Sequence, residues 1–276
     1  VEPSLPRRPL HRTLRSPLLL LRRLIRESAA GAVLFFLLLE GNLVLSLLFY
    51  PDFRDHMPVW AKIAPLQAVK ELLQTIEEAG FLAYLVAQQF FKAVNSLGTA
   101  AATLFAMGAV SREVENRTIE ILVSRPFSRR RILASKFLVG AFALVLPVLV
   151  SSASAVPLAR AIPGIGETVP AGPILLAGAH ASLFLLAIYA ATFLGSTIAS
   201  DATRVAFLVL GVSTLSFALY LVNQVTHYSM YRLSDVPTYL RILRSGALPI
   251  GTDLALVGVT AALFLASDRV FGRRDF

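Results

Sequence analysis

Ten of the 26 residues in SREVENRTIEILVSRPFSRRRILASK, Ser111 to Lys136, are charged, in a chain that elsewhere carries few charges. The acidic side chains Glu113, Glu115 and Glu120 come first, Pro126 follows, and Arg129, Arg130 and Arg131 come last. Acidic groups suit the first turn of a helix and a proline usually ends one. The order therefore predicts a short helix from Ser111 to about Val123, with Ser111 as a cap. A turn follows at RPFS, and Ser128 caps the next helix. Ile119, Ile121 and Leu122 give the short helix apolar surface that a bare loop does not need. One reading is a docking element for a soluble protein, with Arg112 and Arg117 supplying the other sign of charge. The other is a solvated turn whose arginines follow membrane topology.

A second set of polar residues lies inside apolar runs. Glu40 falls near the middle of AAGAVLFFLLLEGNLVLSLLFY (Ala29 to Tyr50), and Lys92 interrupts the run from Gly80 to Val110. Charges within a bilayer are costly and usually functional. If both runs span, their depths differ by roughly 6 Å at helical rise, within reach of a lysine, and the expectation is a Glu40–Lys92 pair. Gln88, Lys92, Asn95 (or Ser96), Thr99 and Thr103 recur every three or four residues, which places them on one helical face. Such a stripe either lines a path or interface, or ties helices together by hydrogen bonds. Gly98, Ala102 and Ala106 repeat every four residues and permit close packing on another face.

Catalytic patterns are missing. The sequence has no G-x-x-x-x-G-K-[ST] phosphate loop, no H-E-x-x-H and no G-x-S-x-G. With no cysteine, disulfides and thiolate metal sites are excluded. The four histidines are scattered, so no metal site is expected. Asp201 and Asp253 fall near opposite ends of the bilayer and cannot form a catalytic dyad. The expectation is a chain that is not itself an enzyme and binds no cofactor.

The elements that must position these residues are membrane helices. Of 276 residues, 56% are hydrophobic, too many for a soluble domain of this size. The net charge of +9 flanks the apolar runs, which favours lipid head groups over nucleic acid. Six runs approach the roughly 20 apolar residues that a span needs. They are 29–50, 80–110, 132–159 with a bend at Pro147, 173–199, 204–226 and 249–267. The first follows a long Arg-rich segment with no small-residue cleavage site, so it reads as a span and not as a cleaved leader. Placing the N-terminal segment, the charged block, the 200–204 turn and the tail on one side gives that side 18 of the 26 Lys and Arg, against seven in the other loops. That side is the cytoplasm. SPLLLLRRLIRES, before the first span, predicts either an amphipathic interfacial helix or an extension of the span with snorkelling arginines. Outside, 51–79 predicts a loop carrying an amphipathic helix with Leu66, Leu73 and Ile76 on one face. At 227–248, Ser234 or Asp235 before Pro237 marks a helix start. The resulting organisation is a cytoplasmic N-terminus (1–28), an all-α six-span domain (29–268) and a cytoplasmic tail (269–276).

The charged block resembles the cytoplasmic signature of ABC-2 type permeases, the membrane subunits of ATP-binding-cassette exporters. Glu113, Glu115, Thr118, Glu120, Ile121, Leu122, Pro126, Ser128, Arg129, Ile132 and Lys136 fit that pattern, while Arg117 stands where glycine is common. The resemblance implies that the short helix is a coupling helix seated in a groove of a separate ATPase subunit, which would bind ATP and Mg. It also implies a second permease chain, homo- or heterodimeric, contact with membrane lipids, and a plasma (inner) membrane location. Re-entrant short helices would precede the last span. Two other readings stay open: an anchor or assembly factor recruiting a cytoplasmic protein, and a secondary transporter coupled to ions through Glu40 and Lys92.

Overall fold

The structure is a computed structural model that describes residues 15–63, 66–115, 128–163, 165 and 168–274. Their regular secondary structure is helical, with no strand among them. The elements are α1 (Arg15–Ile63), α2 (Gln67–Ala79), α3 (Phe81–Leu85), a π-helical segment (Val86–Val94), α4 (Asn95–Met107), α5 (Ser111–Glu115), α6 (Arg129–Ala161), α7 (Ala171–Ile198), α8 (Ala202–Tyr220), α9 (Val236–Ser245) and α10 (Ile250–Arg273). Two 3₁₀ turns, Thr226–Tyr228 and Met230–Ser234, lie between α8 and α9. Five helices among the described residues are long and apolar enough to cross a membrane, namely α6, α7, α8, α10 and the Leu21–Met57 part of α1.

Of the two readings of the stretch 16–28, the structure shows the extension of the first span and no separate helix. The stretch forms the first turns of α1, which continues without a break through the expected boundary at residue 28. Ser28, Ala29 and Ala30 contain no breaker, so nothing in the sequence stops the helix there. Pro51 does not end α1 either, and the expected outer loop is helical to Ile63. A helix in a membrane protein tolerates proline because neighbouring groups can satisfy the freed carbonyl. Pro147 and Pro157 are likewise carried inside α6. The amphipathic helix expected next is present as α2, which buries Leu73 and Ile76. The expected tail boundary at residue 268 falls within α10.

The expected run from Gly80 to Val110 is three abutting helical segments. Gly80, at φ 70°, starts α3. The backbone stays helical through Val86 and Asn95, so the π segment joins α3 to α4 without a loop. A π turn holds an extra residue, which shifts the faces that a 3.6-residue period assigns. Below it, Gly98, Ala102 and Ala106 are buried, and a Cβ on Gly98 would sit 2.5 Å from Leu185 Cδ1 on α7. The small-residue repeat thus lets α4 approach α7. Leu185 is itself fully buried and has little room to move. Gly98→Val is therefore expected to destabilise the protein by about 1–3 kcal/mol through overpacking. Gly211→Val, where no atom lies within 4 Å, serves as the control in detergent melting curves.

Candidate functional site: the α5 junction and two buried polar networks

The charged block begins at a junction of four helices. The backbone N–H groups of Val110 and Ser111 both donate to Ser196 Oγ on α7, at 2.9 and 3.1 Å. The first turn of α5 closes on the Val110 carbonyl, which accepts from Glu113 and Val114. Ser111 is therefore not the cap. It is buried, its hydroxyl donates back to the Met107 carbonyl, and Ser196 from another helix caps in its place. Glu113 and Lys136 lie 23 residues apart and meet at 3.1 Å, while Lys136 Nζ also donates to the Ala109 carbonyl at 2.7 Å. The Lys136 side chain is only 10% exposed, so this clamp between the end of α4, α5 and α6 is partly desolvated. Arg112 and Glu115 are exposed. The expected residues Arg117, Thr118, Glu120, Ile121, Leu122 and Pro126 lie outside the described residues.

The adjoining positions tie the same end of the bundle together. Ser128 caps α6 as expected, its Oγ accepting from Arg131 N. Arg129 Nη1 donates to the Arg274 carbonyl, and Arg274 Nη1 donates to the Thr197 carbonyl. Arg130 pairs with Asp268 at 3.4 Å. Asp201 caps α8 and pairs locally with Arg204.

Glu40 and Lys92 do not pair. Glu40 accepts from Ser154 Oγ at 2.8 Å on α6, whereas Lys92 is exposed and donates to Gln88 Oε1 at 3.1 Å. The π segment explains the difference, because it turns Lys92 outward and Gln89 inward. Gln89, which the periodicity missed, donates to Ser151 Oγ at 2.8 Å. Asn42 donates to Gln89 Oε1 and to the Gln88 carbonyl. Ser154 Oγ also reaches the Ser151 carbonyl, so α1, the π segment and α6 share one connected network.

The stripe is split for the same reason. Lys92 and Ser96 are exposed, while Asn95, Thr99 and Thr103 are buried. Asn95 Nδ2 donates to the Ser234 carbonyl and Ser234 Oγ donates to Asn95 Oδ1, both at 2.8 Å. Ser234 Oγ therefore accepts from Tyr239 OH on α9. Thr99 Oγ1 and Tyr231 OH share a bond at 3.3 Å, and Thr103 donates to the Thr99 carbonyl. Burial holds the phenols of Tyr231 and Tyr239 above the ordinary tyrosine range, so both keep their protons for these bonds. Asp235 caps α9, accepting from Thr238 N, with Pro237 in the first turn as the sequence signals.

His180 and Asp253 were not singled out together by the sequence, yet they meet at 2.6 Å between α7 and α10. His180 Nε2 faces the Leu233 carbonyl at 2.8 Å, an acceptor only, so Nε2 carries a proton. The Nδ1–Oδ1 contact holds one more proton, on the imidazole or on the carboxyl, and either way the pair is neutral overall. Their separation of 73 residues left no local signal. Among the described residues Asp253 Oδ2 is buried without a partner, which makes the pair sensitive to loss of either member.

All-helical among the described residues, with several apolar helices long enough to span and the start of its charged block seated at a helix junction, the chain has the architecture of a multi-pass membrane protein. The family model described as ABC-2 family transporter protein matches residues 23–236. The chain belongs to that family. No curated protein matches it.

The buried pair yields a direct expectation. His180→Leu or Asp253→Leu alone leaves a buried polar partner stranded and is expected to cost about 3–5 kcal/mol. The double variant, with two apolar side chains in contact, is expected to recover most of the loss in the same melting assay.

Proposed function

We propose that this chain is the transmembrane permease subunit of an ABC-2 type exporter, driven by ATP hydrolysis on a separate ATPase chain that binds ATP and Mg. The family membership supports the class of transporter. The observation that carries the coupling role is the fixing of α5 by Ser196, Lys136 and the Ala109 carbonyl. A docking helix can transmit a push only if its base is rigidly tied to the spans that must move. Here the tie reaches α4, α6 and α7 together. Among the described residues, Arg112 and Glu115 are the exposed charges of α5 available for docking.

In this reading there are six spans. α3, the π segment and α4 together make the second, between α1 and α6. Both termini and α5 lie in the cytoplasm, as the distribution of Lys and Arg favours. The protein resides in the plasma (inner) membrane and works as a dimer of permease chains with two ATPases. ATP binding that draws the ATPase pair together would favour one arrangement of the spans by its differential affinity for it. The helices between α8 and α10 cover the outer end of the second span. The two residues of the ion-coupled alternative are not joined to each other, since Glu40 bonds Ser154 and Lys92 bonds Gln88.

The test is affinity capture of the tagged chain from its native membranes. An ATP-binding-cassette ATPase is expected to co-purify, and Glu115→Ala with Glu120→Ala is expected to reduce its recovery about tenfold, the scale of losing two charged rim contacts. Glu113 is left intact because its loss would disturb the Lys136 clamp. Recovery of the chain without any ATPase, under conditions that preserve other membrane complexes, would overturn the reading.

A further inference from the structure

An apolar groove of about 690 Å³ runs along the outside of the bundle between α1 and α6. Leu21, Ile25 and Phe36 form one wall, and Leu138, Phe142 and Val150 the other. Ala29, Ala32 and Ala143 leave its floor open. Its two ends differ chemically. At the N-terminal end, Arg22 and Arg26 stand one turn apart beside the Leu21–Ile25 wall, both exposed. Glu27 is taken by Arg23 at 2.7 Å, so Arg22 and Arg26 have no acidic partner among the described residues. On α6, Arg131 is also exposed and precedes Leu138 by two turns on the same face. At the other end, Glu40 and Ser154 come one turn after Phe36 and Val150, and their 2.8 Å hydrogen bond closes the groove with a carboxylate.

The length selects the occupant. From Arg26 to Phe36 is ten residues, or roughly 15 Å at helical rise, half of a hydrocarbon core of about 30 Å. The groove therefore suits the acyl chains of one leaflet. Its charges give the polarity, since the arginines attract a phosphate and the carboxylate at the far end repels one. We infer that this groove is a binding site for one anionic diacyl phospholipid, its phosphate on Arg22 and Arg26 with Arg131 alongside, and its chains between α1 and α6. The inference depends on the membrane setting alone and not on coupling to an ATPase.

The measurement is native mass spectrometry of the full chain released from bilayers of equal phosphatidylglycerol and phosphatidylethanolamine. The wild type is expected to retain one phosphatidylglycerol in preference. Arg22→Gln with Arg26→Gln is expected to lower that preference by about tenfold, the scale set by two basic residues at an anionic surface. Arg22→Lys with Arg26→Lys should keep most of it. Ala32→Trp, which fills the floor, should displace both lipids without disturbing the arginines. Equal retention of the two lipids by the wild type, or unchanged retention in the glutamine variant, would overturn the inference. So would efficient disulfide formation between two copies of a Phe142→Cys variant in membranes. The sequence has no other cysteine, so that cross-link would mean that a second copy covers the groove.

Discussion

Inside a bilayer, a polar side chain has no water to turn to and must find its partners within the protein, and this constraint organises the bundle. Gln89 is the clearest instance. It is almost completely buried, and its amide is held between Asn42 of α1 and Ser151 of α6. The π turn around it makes that placement possible, because the extra residue directs Gln89 inward and brings the Gln88 carbonyl within reach of Asn42. Local backbone geometry and long-range polar satisfaction are thus one arrangement.

A second network does the same work at the start of α4. Asn95 and Thr99 reach up to Ser234 and Tyr231, and His180 joins the Leu233 carbonyl to Asp253. The segment between α8 and α10 is thereby fastened to α4, α7 and α10 by side chains that are themselves buried. Aromatic packing reinforces it, with Phe90 stacked on Tyr239 and Phe184 and Phe217 against Tyr231. The helices between α8 and α10 pack over the start of α4, and Asn95 and Thr99 of the stripe are hydrogen-bonded to them.

At the charged end, the same economy of partners links the base of α5 to the rest. Ser196 spends one oxygen on two backbone donors, and Lys136 bridges the Ala109 carbonyl and Glu113. Arg129, Arg274 and Thr197 then join α6, the end of α10 and α7. Any displacement of α5 is felt by three long helices. That is the mechanical property a coupling element requires, and it arises from hydrogen bonds whose members are far apart in sequence.

The sequence by itself determined the class of this protein. Length and continuity of apolar runs are local properties, so α6, α7, α8 and α10 could be read directly, as could the Ser128 cap, a helix start at Ser234 or Asp235, and the close-packing face of Gly98, Ala102 and Ala106. The family signature was legible because the residues that compose it are contiguous. The tertiary structure decided which polar groups meet. Glu40 chose Ser154 over Lys92, Ser196 replaced Ser111 as the cap, and His180 found Asp253. It also decided where helices stop, since α1 runs from Arg15 through Pro51 in spite of local signals. The physical reason is common to these cases. A helical period fixes a residue's face only while the helix stays regular, and one π turn resets it. A buried polar group takes whichever partner the packing of distant helices brings within about 3 Å.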